Sequence, residues 1–290
     1  MEHLTLENEN ISIAVNTLGA ELSSLIHKST GTQYLWQGDP QYWSGQAPLL
    51  FPIVGGLRDD RYQYGNKTYT LPKHGFARRK KFEFKGGKAE RLSFLLRSDH
   101  ETRSVYPFDF ELWIDYSLDG YTVHTQASVT NTSEEKDMFF SFGFHPAFNV
   151  PLSQDTGFED YFLCFNKDST ARSYRLKDAL VSDENTIAFT EGRLELSHRL
   201  FENDALIFRG LQSDEIILQS RLTDRMLKFN FENFPYFGIW TKPGAPFICL
   251  EPWHGIADHI SHDGRLETKE GIIRLDPRSE WSCGYSVNIQ

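Results

Sequence analysis

The sequence predicts an all-β protein, an antiparallel sandwich or barrel built as a single domain over residues 1–290. Apolar and polar residues alternate with a period of two in many short segments, and turn-forming residues separate these segments every ~8–12 residues. A third observation is negative: the chain has no βαβ rhythm, internal repeat, long amphipathic helix or Pro/Ser-rich linker.

Four segments show the alternation most clearly, and each is predicted as a half-buried strand. One lies near the N-terminus, two are neighbours in the middle of the chain, and one ends the chain. Their apolar positions are Ile11, Ile13 and Val15; Phe110, Leu112, Ile114, Tyr116 and Leu118; Tyr121, Val123, Ala127 and Val129; and Trp281, Cys283, Tyr285, Val287 and Ile289.

Turn signals connect these segments. Asp119-Gly120 separates the two central segments and predicts a tight hairpin. Gly86-Gly87 lies between two further apolar runs and predicts a second hairpin. Short helical turns are expected near Leu180 and over Arg199–Asp204.

The composition excludes several classes of protein. Its 23 Phe, 12 Tyr and 6 Trp exclude wholesale disorder, because so much aromatic surface must be buried or used. No apolar run approaches the roughly 20 residues of a membrane span, and the N-terminus lacks the pattern of a secretory signal. A net charge of −10 argues against nucleic acid or an anionic membrane as the main partner. We therefore expect a cytoplasmic protein that binds neither.

The cysteine and histidine patterns favour neither a disulfide framework nor a metal centre. His254, His259 and His262 form a loose cluster with Asp258, but their spacing matches no zinc motif. The chain has three cysteines, an odd number, and none lies in a C-x-x-C pair. We therefore expect no disulfide framework and expect each cysteine to be a small buried hydrophobic residue. They are Cys164, Cys249 and Cys283.

Glu251 is the first candidate for chemistry. It ends an apolar run and precedes Pro252, so we expect it at the end of a strand, beside Trp253. Partial desolvation there would raise the pKa of the carboxyl group toward neutrality, which suits a general base. The alternative is a carboxylate at the rim of the fold, paired with an arginine.

His145, His74 and Arg58 are further candidates. His145 follows a run of aromatic and glycine residues and is expected to titrate near neutral pH, so it could donate a proton. His74 begins a His-Gly-Phe-Ala-Arg segment, and Arg58 could present its guanidinium fork to sugar hydroxyls. The alternatives are hydrogen-bonded core histidines and a surface salt bridge.

Aromatic and basic residues accompany these candidates. The stretch from Lys73 to Lys80 is the densest in basic residues, and it is either a solvated loop or a site of local anion attraction. Flat aromatic rings stack on the C–H faces of pyranoses, although core packing is the alternative for each. The tryptophans near the polar motifs are Trp36, Trp43, Trp240 and Trp253.

Taken together, the motifs resemble those of the aldose 1-epimerase (mutarotase) family, in particular its LacX-like bacterial branch. The resemblance rests on an F-P-x-x-G-x-L stretch followed by Arg58, then H-G-F-A-R, G-F-H-P-A-F and L-E-P-W. It extends from the T-L-G-A-E-L stretch at residues 17–22 to the C-terminal strands.

The resemblance implies a large antiparallel β-sandwich with the galactose mutarotase-like fold and a site in a cleft on its concave face. It also implies that the protein interconverts the α and β anomers of a free hexose without cofactor or metal. By motif, Glu251 matches the general base and His145 the general acid. The implied substrate-binding residues are His74, Arg58 and, more loosely, Asp204; Trp253 is an aromatic candidate beside them.

Other functions remain open from the sequence. A related branch of the family acts on hexose 6-phosphates, and Arg58, Arg78 or Arg79 could meet the phosphate. A non-catalytic carbohydrate-binding module on the same fold is a second alternative, although binding alone does not require an acid–base pair. Glycoside hydrolysis by Asp204 and Glu251 is a third. The chain is expected to be a monomer or a homodimer.

Overall fold

The computed structural model describes residues 3–88 and 91–290, and it confirms the all-β prediction. As far as Phe140, the strands are β1 (His3–Glu7), β2 (Ile11–Asn16), β3 (Glu21–His27), β4 (Thr32–Gln33), β5 (Leu49–Leu50), β6 (Arg61–Tyr64), β7 (Lys67–Thr70), β8 (Glu83–Lys88), β9 (Arg91–Arg97), β10 (Phe110–Asp119), β11 (Thr122–Asn131) and β12 (Met138–Phe140). The later strands are β13 (Phe142–Phe144), β14 (Ala147–Asn149), β15 (Tyr161–Phe165), β16 (Thr170–Lys177), β17 (Leu180–Ala188), β18 (Arg193–Glu195), β19 (Leu206–Arg209), β20 (Glu215–Ser220), β21 (Leu227–Phe231), β22 (Tyr236–Trp240), β23 (Phe247–His254), β24 (Ile273–Leu275) and β25 (Glu280–Ile289).

Helical structure is sparse. The α-helix α1 spans His100–Val105, and Asp99 caps it by accepting a hydrogen bond of 2.7 Å from the Thr102 N–H. Short 3₁₀ turns lie at Arg58–Asp60, Ala77–Arg79, Phe158–Asp160, His198–Phe201 and Leu266–Thr268. In the part of the chain that the structure describes, no helix is long and apolar enough to cross a membrane.

One of the two expected helical turns forms. The 3₁₀ turn at His198–Phe201 overlaps the predicted segment Arg199–Asp204. The prediction near Leu180 is wrong, because Leu180 begins β17 and pairs with the end of β16. Asp178 and Ala179 join these two strands, and both have positive φ angles, of 53° and 64°, as a tight hairpin turn requires.

Two large sheets dominate the fold. Sheet I has nine strands in the order β18-β15-β20-β21-β25-β11-β10-β9-β8. Sheet II has the order β17-β16-β19-β22-β23-β13-β5, with β14 also paired to β23. Neighbouring strands in both sheets are antiparallel. Strands β1 to β4 form a smaller antiparallel sheet.

The two large sheets pack face to face as a β-sandwich, as expected. Phe144 of sheet II meets Tyr285 of sheet I with ring centroids 4.8 Å apart, and Phe229 of sheet I meets Phe237 of sheet II at 5.9 Å. Such edge-on aromatic pairs add to the free energy gained from burying their apolar area.

The four alternating segments are β2, β10, β11 and β25, which confirms their prediction as strands. The Asp119-Gly120 hairpin is also confirmed, since Asp119 pairs with Thr122. The second hairpin also forms, since β8 pairs with β9 in antiparallel orientation, but Gly86 and Gly87 do not make its turn. They lie inside β8, where the register shifts between Phe84 and Gly87. Strand β8 continues to Lys88, and the connection to β9 lies outside the described residues.

The three cysteines are all unpaired. Cys249 is fully buried, as expected, whereas Cys164 and Cys283 are only half-buried. The two half-buried cysteines lie on sheet I, on β15 and β25.

Strand β23 positions the candidate site. Ile248 and Leu250 point into the core between the sheets. Because side chains alternate along a strand, Cys249, Glu251 and Trp253 point to the opposite face of sheet II. The side chains of the candidate site therefore lie on the face of sheet II that is turned away from the main core.

Candidate active site

A cavity of about 580 Å³ lies on this face of sheet II, a size typical of small-molecule sites. Strands β16, β19, β22 and β23 and the loops between other strands form its walls. Its lining residues are Trp43, Gly55, Lys73, His74, Arg78, His145, Leu176, Ala179, Asp204, Ala205, Ile207, Trp240, Glu251, Trp253 and Ala257.

Glu251 is a buried carboxyl group in this cavity, with 1% of its surface exposed. Burial raises its pKa well above the usual value; the charge of Asp204 adds to the effect and that of Lys73 opposes it. Its Oε2 atom has no hydrogen-bond partner among the described residues. The environment therefore favours the neutral form, as expected for a desolvated base.

Strand β23 does not end at Glu251, which corrects the expectation from Pro252. It continues to His254, and Pro252 pairs with Phe237 of β22. The Leu250 N–H donates to the Pro146 carbonyl, in the break between β13 and β14. Backbone nitrogens two residues apart on a strand point to the same side, so the nitrogen of Pro252 also points toward β13 and β14. The missing N–H therefore faces an interruption in the sheet, which explains why proline is tolerated in a central strand.

His145 lies in the same break, beside Glu251. Its Nε2 atom is 3.2 Å from Glu251 Oε2, and Trp43 stacks on its ring at a centroid distance of 5.0 Å. Burial lowers the pKa of His145 from 6.5 to about 3, and the charges of Arg78 and Lys73 contribute to this shift. The expectation of titration near neutral pH is therefore wrong: the imidazole is neutral at pH 7.

His74 is a fixed hydrogen-bond donor in the lining. Its ring atom Nδ1 accepts a hydrogen bond of 3.1 Å from the Gly55 N–H, and the backbone N–H of His74 donates to the Gly55 carbonyl at 2.9 Å. Burial, and next the neighbouring His145, lower the pKa of His74 well below 6.5. Because Nδ1 accepts, the proton of this neutral ring is on Nε2.

Two glycines make room for Trp253. A Cβ atom on Gly143 would lie 2.5 Å from the indole, and one on Gly238 would lie 2.7 Å from it. The ring is thus held in a slot between β13 and β22. Its side chain also interacts with the Glu251 carboxylate, which opposes the rise in the pKa of Glu251.

Asp204 also reaches the cavity, although it lies far from Glu251 in the sequence. Its φ angle is 80°, in the left-handed region, and its Oδ1 accepts a hydrogen bond from the Ala205 N–H at 2.8 Å. Its charge is close enough to Glu251 to raise the pKa of that carboxyl group. The structure therefore brings Asp204 together with Glu251, His145, His74 and Trp253.

Arg58 is not brought into the cavity lining. It lies on an exposed 3₁₀ turn, where its backbone N–H donates to Asp258 Oδ2 at 3.0 Å. Lys73 and Arg78 line the cavity instead. The sequence offered one signal for Arg78, since it ends the motif that His74 begins.

The tryptophans divide between the cavity and the core. Trp43 and Trp240 line the cavity and meet edge to face at 5.6 Å. Trp36 is buried outside the lining and packs on Phe247 at 4.9 Å. Flat faces suited to a sugar ring therefore come from Trp43, Trp240 and Trp253.

Groups that could ligate a metal converge at one place among the described residues. The ligand atoms of His145, Cys249 and Glu251 all lie within 4.8 Å of one another. The loose histidine cluster near residue 258 does not converge in this way. His254, for example, packs on Phe234 at 4.7 Å.

The chain matches the family model "Aldose 1-epimerase" over residues 2–274. It is 34% identical to the chromosomal protein LacX of Lactococcus lactis subsp. lactis, in an alignment that covers 99% of both chains. The chain belongs to the aldose 1-epimerase family. The resemblance that the motifs indicated is thereby confirmed.

Solved structures agree with this assignment. A galactose mutarotase related enzyme from Lactobacillus acidophilus is 36% identical with a TM-score of 0.95, and the match covers 100% of this chain and 97% of that chain. A galactose mutarotase-like protein from Lactobacillus casei ATCC 334 is 30% identical with a TM-score of 0.92 and full coverage of both chains. The sandwich is thus a galactose mutarotase-like fold.

Proposed function

We propose that the protein is an aldose 1-epimerase that interconverts the α and β anomers of a free hexose such as glucose or galactose. The observation that carries the proposal is the buried pair Glu251–His145, whose Oε2 and Nε2 atoms are 3.2 Å apart in the cavity. Ring opening of a cyclic hemiacetal needs one group that accepts a proton and one that donates a proton, and each must be able to reverse its role. Two titratable groups in contact meet that need.

The proposed reaction conserves the proton shared by the pair. The shared proton first moves from Glu251 to His145 Nε2. The resulting Glu251 carboxylate takes the proton of the C1 hydroxyl, the C1–O5 bond breaks as the C1 aldehyde forms, and the His145 imidazolium gives its proton to O5. The aldehyde then rotates, and reversal of both transfers closes the ring as the other anomer. The pair passes from carboxylate and imidazolium to carboxylic acid and neutral imidazole.

Burial supports this exchange. It raises the pKa of Glu251 and lowers that of His145, so the site favours the state in which both groups are uncharged. That state is the one reached as the ring opens. The energy needed to form the charged pair from the neutral pair in this buried site is therefore recovered during the step.

The remaining residues have proposed roles in binding. We assign the His74 Nε2–H as a donor to a sugar hydroxyl, and Asp204 as an acceptor from another. Trp253 offers an apolar face to the sugar, and its side chain also interacts with the Glu251 carboxylate. Arg78 takes the sugar-binding role that the motif resemblance implied for Arg58, because Arg78 lines the cavity.

Polarimetry on freshly dissolved α-D-glucose and α-D-galactose tests the proposed base. The wild-type protein should speed the approach to equilibrium rotation. Glu251→Gln should lower the rate by about 10²–10⁴-fold while sugar binding is kept, because the amide cannot accept the proton. Glu135→Gln, an exposed carboxylate in a loop, is the matched control and should behave like the wild type. A wild-type rate in Glu251→Gln would exclude it as the base.

A hexose 6-phosphate is the second candidate substrate, and the two cations in the lining favour it. Lys73 and Arg78 both line the cavity that holds the acid–base pair. If a phosphate binds there, Arg78→Ala should raise KM for glucose 6-phosphate by at least tenfold more than for glucose, since a phosphate loses an ion pair whereas a sugar hydroxyl loses only a hydrogen bond. Arg58→Ala, whose side chain lies outside the lining, is the matched control. Equal effects of Arg78→Ala on both sugars would exclude a phosphate contact.

The proposal includes the finer predictions from the sequence. These are a cytoplasmic location, no nucleic acid or membrane partner, and a monomer or homodimer. A protein that binds sugars tightly but does not speed mutarotation of free or phosphorylated hexoses would instead be a carbohydrate-binding module.

A further inference from the structure

Cys249 is a buried thiol that the proposed reaction does not use. It lies on β23 two residues before Glu251, so both side chains point to the same face of sheet II. Its Sγ atom lies within 4.8 Å of the ligand atoms of Glu251 and His145. All three residues are at least nine-tenths buried, and Glu251 Oε2 has no hydrogen-bond partner among the described residues.

The spacing of these atoms suits a small tetrahedral ion. With Zn–N and Zn–O bonds near 2.0 Å, two ligands of a tetrahedral zinc site lie about 3.3 Å apart. His145 Nε2 and Glu251 Oε2 are 3.2 Å apart without the ion. A sulfur ligand with a Zn–S bond of about 2.3 Å should lie roughly 3.5 Å from the other two ligands, so the thiol needs a shift of about 1.3 Å at most.

The charges and the chemical type of the ligands also fit. A thiolate and a carboxylate carry two negative charges, and with a neutral imidazole they neutralise a divalent cation. Binding would replace two protons, that of the Cys249 thiol and the one shared by Glu251 and His145, and both are released to solvent as the bonds to the metal form. A thiolate–imidazole set selects zinc over magnesium or calcium, which prefer oxygen ligands.

We propose that His145, Cys249 and Glu251 form an inhibitory site for Zn²⁺, with the fourth coordination position open to the sugar cavity. The bound ion occupies Nε2 of His145 and Oε2 of Glu251, the two atoms between which the sugar must exchange its protons. Zinc and sugar therefore exclude each other. The proposed metal binding depends only on the positions of the three ligand atoms, whereas the proposed inhibition also rests on the proposed function.

Cobalt titration of the metal-free, full-length protein tests the binding site without relying on activity. Co²⁺ bound to a thiolate gives a charge-transfer absorption in the near ultraviolet. We expect this band in the wild type, its loss on addition of Zn²⁺, and its absence in Cys249→Ala. Cys164→Ala, which removes a half-buried thiol on sheet I, is the matched control and should keep the band. Absence of the band in the wild type, or its persistence in folded Cys249→Ala, would overturn the proposal.

Polarimetry with added Zn²⁺ tests the inhibition. We expect inhibition competitive with sugar and reversed by EDTA. Cys249→Ala should keep basal turnover and weaken zinc inhibition at least about tenfold, since the loss of even an outer-shell partner costs that much metal affinity. Unchanged zinc inhibition in Cys249→Ala would exclude Cys249 as a ligand. A cobalt band without turnover on any hexose would contradict the proposed function and leave the metal site standing.

Discussion

At the scale of single residues, burial decides how Glu251 and His145 can act. Each would be an ordinary titrating group in water, with pKa values near 4.3 and 6.5. In the cavity, desolvation raises the pKa of Glu251 and lowers that of His145 to about 3. The two shifts have opposite signs, so the pair holds one proton over a wide pH range and titrates as a unit.

This environment predicts an unusual pH dependence. Above the lowered pKa of His145, the pair keeps the single proton that the reaction needs until the raised pKa of Glu251 is passed. We therefore expect that kcat/KM does not fall between pH 7 and pH 5. The measurement is polarimetry over this range, corrected for catalysis by buffer. Loss of activity on acidification, with a midpoint near 6.5, would show a histidine with an ordinary pKa and contradict the structural account.

At the scale of elements, a buried ion pair attaches the segment after β23 to the site. Lys269 Nζ lies 2.8 Å from Asp258 Oδ1, and both side chains are 1% exposed. The Asp258 N–H donates to the Gly56 carbonyl at 2.9 Å. Gly55, the preceding residue, fixes the tautomer of His74 through its N–H. The ion pair thus supports the loop that orients a proposed binding residue.

Removal of one partner of this pair should be costly. Lys269→Met leaves Asp258 buried without its counter-ion, and we expect a loss of about 3–5 kcal/mol in the free energy of unfolding. Urea unfolding measures the change. The double variant Lys269→Met with Asp258→Asn should recover part of the loss, because the unpaired charge is gone.

An exposed ion pair provides the control. Lys28 and Glu7 lie 3.5 Å apart with side chains 37% and 61% exposed, so Lys28→Met should cost no more than about 1 kcal/mol. A similar small cost for Lys269→Met would mean that the buried pair contributes little to the fold.

At the scale of the whole molecule, one apolar core links distant parts of the chain. It includes Leu6 near the N-terminus and Ile289 at the C-terminal end, and it lies between sheets I and II. Strand β25 is paired on both sides within sheet I, with β21 and β11. We therefore propose that residues 1–290 form one domain, as the sequence predicts.

A single domain should unfold in one step. We expect one cooperative transition in scanning calorimetry, with equal calorimetric and van't Hoff enthalpies where unfolding is reversible. Two separable transitions, or a stable fragment after limited proteolysis, would show that part of the chain folds independently.

The strands and the main motifs could be predicted from sequence because their signals are local. Alternation with period two identified β2, β10, β11 and β25, and Asp119-Gly120 identified a hairpin. Predictions from local signals were wrong where contacts with a distant strand determined the backbone conformation. Strand β23 continues through Pro252 because the neighbouring sheet edge is interrupted between β13 and β14, so no hydrogen bond from residue 252 is needed there.

The sequence by itself determined the fold class, the family, and the candidates Glu251, His145 and His74, since these depend on residue order and short motifs. Only the tertiary structure decided that Arg78 and not Arg58 lines the cavity, and that Cys249 lies beside the acid–base pair. Burial likewise set the direction of each pKa shift. These features depend on contacts between segments far apart in the chain, and neither composition nor spacing specifies the distance or the solvent exclusion that such contacts create.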